Sequence, residues 1–155
     1  METNIGLAGP ARKEISDELA RLLADTYILY VKTQGYHWNV TGPMFRSVHL
    51  MFEEEYVDLR DAVDVIAERI RALGHPAPGS FVEFSDLAAI KDEAGVPEAM
   101  DMVRNLAEGH EALARTARRV VEVAEGGDDV ATADLATERI EVHEKTAWML
   151  RATAA

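Results

Sequence analysis

The spacing of apolar residues predicts helices along almost the whole chain of 155 residues. A first helix is expected from about Lys13 to about Trp38, and a second from about Met44 to Leu73. The second helix carries one apolar stripe at helical spacing, made of Val48, Phe52, Leu59, Val63, Ile66, Ile70 and Leu73. β-Branched residues alternate over no useful stretch, so the pattern predicts no strand.

Breaks rich in Gly and Pro separate the later helices. The break at 74–79 ends the second helix, and the long acidic connection after it is expected to hold a short helix near Ser85 to Ala89. A third helix is expected from about Val96 to about Glu125. A fourth helix follows the break at 126–129 and runs to about Arg151.

These elements predict an all-α fold in one domain, a four-helix bundle over 13–155 behind a short N-terminal tail, 1–12. Gly109 lies inside the third helix and costs roughly 1 kcal/mol there relative to Ala, which indicates a close helix contact. The first thirteen residues lack the apolar run of a signal peptide, and no stretch approaches the length of a membrane span. We therefore expect a cytoplasmic protein that does not insert into a membrane.

Charge and cysteine content narrow the chemistry. The formal net charge is −12, from 28 acidic and 16 basic residues, which argues against binding nucleic acid over the whole surface and favours cations. The chain has no cysteine, so disulfides and thiolate metal sites are excluded. A metal would be held by His, Asp, Glu or backbone oxygens, as suits iron, manganese or magnesium.

Five side chains form the candidate metal set. His37 lies at the end of the first helix, and His49, Glu53, Asp64 and Glu68 lie on the second. At about 100° per residue, the last four share an arc of about 100°, well away from the apolar stripe. Two imidazoles and three carboxylates are plausible ligands for iron.

Distance along the helix limits how these ligands can combine. Fifteen residues separate His49 from Asp64, roughly 22 Å along the axis, so one ion cannot contact both. If the same helix of a second chain packs antiparallel about a point near Asp58 or Leu59, the two halves meet and symmetry makes two identical sites. The spacing allows this arrangement but does not require it.

A second interpretation stays open from spacing alone. Acids at this spacing on a helix are usually a solvated face, here paired with Arg60, Arg69 or Arg71. In that case the chain would be a helical bundle that binds partners through its exposed surface, without metal chemistry.

Longer motifs resemble one family. The run 34–43, QGYHWNVTGP, resembles the signature of the Dps family, the miniferritins (DNA-binding proteins from starved cells). So do the run 49–54, HLMFEE, the acid Asp64, the run 67–74, AERIRALG, and the run 146–150, TAWML. The likeness covers nearly the whole chain.

This resemblance implies a ferritin-like subunit assembled into a hollow dodecamer. It implies a ferroxidase centre at the two-fold interface, with His37, His49 and Glu53 from one chain and Asp64 and Glu68 from the other. Some relatives have Asp where Glu53 stands, and either residue supplies a carboxylate. The family oxidises Fe(II) with hydrogen peroxide or oxygen, typically preferring peroxide, stores the ferric mineral and thereby limits oxidative stress. No haem is expected.

Two secondary roles are also predicted, the first from the chemistry of the side chains and the second from the resemblance. The rings of Trp38 and Tyr36 form a candidate electron relay, although Tyr36 is better explained as a packing residue. Asp129, Asp134 and Glu138, at the start of the last helix, are candidates for an acidic pore at a three-fold axis. For Asp129 the alternative is a helix N-cap, and both roles are compatible.

The remaining histidines are not expected to bind iron. Ordinary ferritins hold iron inside the bundle with Glu-x-x-His pairs, and this chain has no such pair. His75, His110 and His143 are therefore interpreted as surface or structural residues.

Binding to DNA is expected to be weak or absent. The N-terminal tail offers only Arg12 and Lys13, and the chain after Trp148 offers only Arg151. This composition disfavours the alternative of a nucleoid-associated protein that shields DNA by direct binding.

Overall fold

The computed structural model describes residues 3–155, which form five helices and contain no strand. The helices are α1 (Gly9–Asn39), α2 (Phe45–Ala72), α3 (Phe81–Leu87), α4 (Ala99–Gly126) and α5 (Val130–Thr153). Helix α1 packs against α2, α3 and α4, and α4 packs against α5. The predicted all-α four-helix bundle, with a short helix between its second and third long helices, is confirmed.

The core lies where the apolar stripe of α2 meets the other long helices. Of the seven predicted stripe residues, six are at most 1% exposed and Val63 is partly buried against them. Helix α2 and α5 are bridged by long side chains, since Arg69 pairs with Asp129 at 2.8 Å and Arg139 pairs with Asp58 at 2.7 Å. None of the helices within 3–155 is both long and apolar enough to cross a membrane.

Helix α1 begins at Gly9, four residues before the predicted start at Lys13. Pro10 occupies its first turn, where a missing N–H costs nothing and the fixed φ suits a helix. Arg12 donates from Nη1 to the carbonyl oxygen of Leu73 at 2.9 Å, which ties this first turn to the end of α2. The predicted boundary between residues 12 and 13 therefore falls inside α1.

The short helix α3 also begins earlier than predicted, at Phe81 and not near Ser85. The Ser80 hydroxyl accepts from the backbone N–H of Glu83 and donates to its carboxylate at 2.7 Å. Ser80 is therefore the N-cap of α3, and its hydrogen bonds with Glu83 fix the first turn of the helix.

Helices α1 and α4 approach closely at Gly109, as predicted. A Cβ atom at this position would lie 2.5 Å from Cδ1 of Leu29. A side chain here would therefore push the buried Leu29 aside.

Candidate metal centre

His37 and His49 lie face to face where α1 ends and α2 begins. Their ring centroids are 3.8 Å apart, with an angle of 16° between the rings. His37 Nδ1 donates to the carbonyl oxygen of His49 at 2.8 Å, and His49 Nδ1 donates to that of His37 at 2.7 Å. A carbonyl oxygen can only accept, so both Nδ1 atoms carry hydrogen, and in the neutral form of each ring the lone pair is then on Nε2. Neutral imidazole with a free Nε2 is the form that binds a metal.

Two aromatic side chains hold this histidine pair, and sequence reasoning missed both. Phe45 stacks on His49 with ring centroids 5.0 Å apart, and the Tyr56 ring meets the His37 ring edge-on at 5.1 Å. Phe45 and Tyr56 stand four residues before and seven residues after His49, on the same face of α2. That spacing is the signal that would have identified them.

The three carboxylates Glu53, Asp64 and Glu68 are exposed on α2. The three arginines named as their possible partners make other contacts. Arg60 pairs with Asp61, and Arg69 pairs with Asp129. Arg71 donates to the carbonyl oxygen of His75. The three carboxylates have no ion pair or hydrogen bond from side chains of residues 3–155. A solvated face neutralised by those three arginines is therefore not what the structure shows.

A single subunit brings together only part of the predicted ligand set. His37 and His49 meet, but no three His, Asp or Glu side chains of residues 3–155 converge closely enough to hold a metal. Asp64 and Glu68 lie further along α2 and are exposed on the same side of that helix as His49 and Glu53. A site that uses both groups needs a second subunit.

Asp129 differs from the other two pore candidates. Its side chain is 2% exposed, caps α5 through the backbone N–H of Thr132 at 3.0 Å, and pairs with Arg69. Burial alone would raise the pKa of Asp129, but hydrogen bonds from Thr132 and Arg69 outweigh burial and lower that pKa. The carboxylate of Asp129 therefore caps α5 and is enclosed against Arg69, while its pore-lining role stays a prediction. Asp134 and Glu138 are exposed.

The two relay candidates lie in different surroundings. Tyr36 is 5% exposed, and its ring centroid lies 6.3 Å from that of Phe52. Its hydroxyl accepts from Asn105 Nδ2 at 3.0 Å. These contacts favour the packing role for Tyr36. Trp38 is 67% exposed beside His37.

Two of the remaining histidines form a buried pair. His110 on α4 and His143 on α5 are 1% and 0% exposed, with their Nδ1 atoms 3.0 Å apart. Burial lowers the pKa of His110 to about 3 and the pKa of His143 well below its usual value. Both imidazoles are therefore neutral in the folded protein. Burial also raises the pKa of Glu55, close to His110, to about 8.

This buried histidine pair predicts how acid destabilises the protein. A histidine that stays neutral when folded but takes up a proton when unfolded lowers stability as pH falls below about 6.5. Glu55 acts in the opposite direction, since its raised pKa contributes stability that is lost as pH rises through about 8. When the pH is lowered from 6.5 to 4.5, the free energy of unfolding of His110→Phe should fall by about 2–3 kcal/mol less than that of wild type. Urea unfolding at both pH values measures this difference, with His75→Gln as the control. Equal acid sensitivity of His110→Phe and wild type would contradict it.

Comparison with known proteins agrees with this architecture. The ferritin-like domain family matches residues 16–155. A low temperature-induced protein of Nostoc is 47% identical over 152 residues, which span 96% of this chain and 84% of the relative. DNA protection during starvation protein 2 of Bacillus anthracis is 34% identical over 90% of this chain and 96% of its own length.

The fold comparison points the same way. The crystal structure of a Dps protein from Vibrio cholerae, described as a member of a broad superfamily of ferritin-like diiron-carboxylate proteins, superposes with a TM-score of 0.94. It is 33% identical, and the match covers 100% of this chain and 98% of that chain. The chain belongs to the Dps family of ferritin-like proteins.

Proposed function

We propose that this protein is an iron-oxidising and iron-storing miniferritin of the cytoplasm. It oxidises Fe(II), with hydrogen peroxide as its main oxidant, stores the ferric product inside a shell of twelve subunits, and so protects against oxidative stress. The observation that carries this proposal is the reciprocal hydrogen bonding of His37 and His49, which leaves both Nε2 atoms free for a metal. The Vibrio relative's description as a diiron-carboxylate protein supports iron as the metal.

In this proposal the ferroxidase centre is shared by two-fold-related subunits. His37, His49 and Glu53 of one subunit face Asp64 and Glu68 of the other, which gives two nitrogen and three carboxylate donors. Such a set suits iron, and its carboxylates stabilise the extra charge of Fe(III). The hydrogen bonds at Nδ1 fix the orientation of both rings.

Exposed apolar side chains around the histidines support a contact between subunits at this place. Trp38, Met44 and Phe45 are 67%, 48% and 44% exposed in the single chain. Clustered apolar side chains of this size on a surface commonly mark an interface. A second subunit that covers them would bring its own α2 against the histidine pair.

The proposed reaction balances without any protein-derived electron. Two Fe(II) ions each give one electron to hydrogen peroxide, its O–O bond breaks, and two protons complete two water molecules. The products are two Fe(III) ions, which then hydrolyse to mineral. This stoichiometry removes iron and peroxide together, so neither is left to form hydroxyl radicals.

Iron is proposed to enter through an acidic opening that includes Asp134 and Glu138. Both are exposed near the start of α5. Carboxylates around an opening concentrate cations, and the net charge of −12 per chain adds to that field.

An iron-loading experiment tests the proposal. Anaerobic Fe(II) is added to the iron-free protein, followed by hydrogen peroxide, and iron is quantified across a size-exclusion eluate. We expect ferric iron to elute with a shell of about twelve times 17.1 kDa. Iron that precipitates away from the protein, or a protein that elutes as a single bundle, would reject storage in a shell.

A second candidate function is suggested by the names of relatives, several of which are called DNA protection during starvation proteins. Direct shielding of DNA would require a basic surface or tail, whereas this chain carries −12 and few tail cations. We therefore expect no shift of duplex DNA in a gel at about 0.15 M salt without divalent metal. A clear shift under these conditions would favour DNA shielding.

A further inference from the structure

A cavity separate from the histidine pair His37–His49 opens between α2 and α5. Its volume is about 360 Å³, within the range of small-molecule sites. The apolar part of the cavity wall is formed by Met51, Val142 and Met149, and the His110 side chain of α4 lies at the base of the cavity. Because α2 and α5 are bridged mainly by long side chains, the gap between them is not filled by the core.

Two buried polar atoms in this cavity have no hydrogen-bond partner in residues 3–155. They are Oε2 of Glu55 and Nε2 of His110, which lie 3.9 Å apart. The side chains are 9% and 1% exposed. Native structures rarely leave such atoms unpaired, since each costs about 1–3 kcal/mol. A molecule in the cavity would satisfy both.

The hydrogen bonds behind His110 determine what it presents to the cavity. Arg139 can only donate, and its Nη2 lies 3.3 Å from Nε2 of His143, which must therefore accept. The neutral His143 then carries its hydrogen on Nδ1 and donates it to Nδ1 of His110, 3.0 Å away. The neutral His110 consequently carries its own hydrogen on Nε2. The cavity receives an N–H donor, unlike the free lone pairs of His37 and His49.

We propose that this cavity binds a small, uncharged, planar molecule of the carboxamide or lactam class. The carbonyl oxygen of the ligand accepts from His110 Nε2, and its adjacent N–H donates to Glu55 Oε2. The cavity wall carries both signs of charge, with Glu54 and Asp58 on one hand and Lys145 on the other, which favours an uncharged ligand over an ion of either sign. The thioethers of Met51 and Met149 make favourable contacts with a flat ring.

Binding of 2-pyridone to the assembled, iron-free protein tests this assignment. We expect saturable binding by ligand-detected NMR, and at least about tenfold weaker binding of N-methyl-2-pyridone, which lacks the N–H. Glu55→Leu and His110→Phe should each weaken 2-pyridone binding by about tenfold or more. Glu54→Gln, on the cavity wall but outside the two proposed hydrogen bonds, should leave 2-pyridone binding within about threefold.

Several outcomes would overturn the proposal. Absence of saturable binding, or equal binding of both pyridones, would show that His110 Nε2 and Glu55 Oε2 do not recognise the ligand. The comparison of the two pyridones uses the wild-type protein and does not depend on the folding of a variant. Saturable Zn²⁺ binding that His110→Phe abolishes would show a lone pair at Nε2 and reverse the hydrogen assignment. Because no iron is present, the result is independent of the ferroxidase proposal.

Discussion

Two inactive variants are expected to restore each other's activity when they assemble together. His37→Ala/His49→Ala and Asp64→Ala/Glu68→Ala each remove one half of the proposed centre, so each alone should oxidise Fe(II) at least about a hundredfold more slowly than wild type. In an equal mixture, half of the two-fold pairs contain one subunit of each kind. Every such pair has one complete and one empty centre, so about a quarter of the wild-type rate should return.

The expectation follows from the length of α2. His49 and Asp64 are roughly 22 Å apart along one helix, and no three metal-binding side chains of residues 3–155 converge in one subunit. Only a second subunit can complete the set. Co-expression with two different affinity tags, purification of doubly tagged shells and the initial rate with hydrogen peroxide measure the recovery.

A matched mixture provides the control. Glu53 is proposed to act from the same side as the two histidines, so Glu53→Ala mixed with His37→Ala/His49→Ala leaves every centre defective. This mixture should stay inactive although it assembles. Absence of recovery in the first mixture, with intact doubly tagged shells, would mean that the two halves do not meet across subunits.

Local sequence pattern was sufficient for the long helices, and it singled out the residues of the proposed centre, whose metal-binding role stays a prediction. The apolar stripe of α2 depends only on helical periodicity, and the same periodicity places His49, Glu53, Asp64 and Glu68 on the opposite side. The sequence also carries a capping signal at Ser80 and Glu83. It would have placed the start of α3 correctly.

Features that depend on packing could not be read from the pattern. The stacking of His37 on His49 requires the turn between α1 and α2 to bring the rings within 3.8 Å. His110 and His143 are 33 residues apart, and only the packing of α4 on α5 pairs them. The enclosure of Asp129 likewise depends on Arg69, which lies 60 residues away. In each case the partner is distant in sequence, so spacing carries no signal.

The largest loss of stability is expected at Asp25, which fixes the connection between α3 and α4. The side chain is 0% exposed, and its Oδ1 accepts from the backbone N–H groups of Ala89 at 2.7 Å and Ile90 at 2.9 Å. Its Oδ2 accepts from the hydroxyl of Thr116 at 2.7 Å. Burial raises the pKa of Asp25, while these hydrogen bonds lower it in part.

Asp25→Ala should therefore lower the free energy of unfolding by roughly 3–5 kcal/mol, because three donors lose their acceptor together. Urea unfolding measures the loss, and hydrogen exchange at the amides of Ala89 and Ile90 should accelerate most. Asp17→Ala is the matched control: Asp17 pairs with Lys13 on the exposed side of α1, where such a pair contributes at most about 1 kcal/mol. If the two variants unfold alike, the hydrogen bonds of Asp25 do not secure the connection. A loss confined to Asp25→Ala, with fast exchange at 89 and 90, would show that one buried carboxylate holds this segment against α1 and α4.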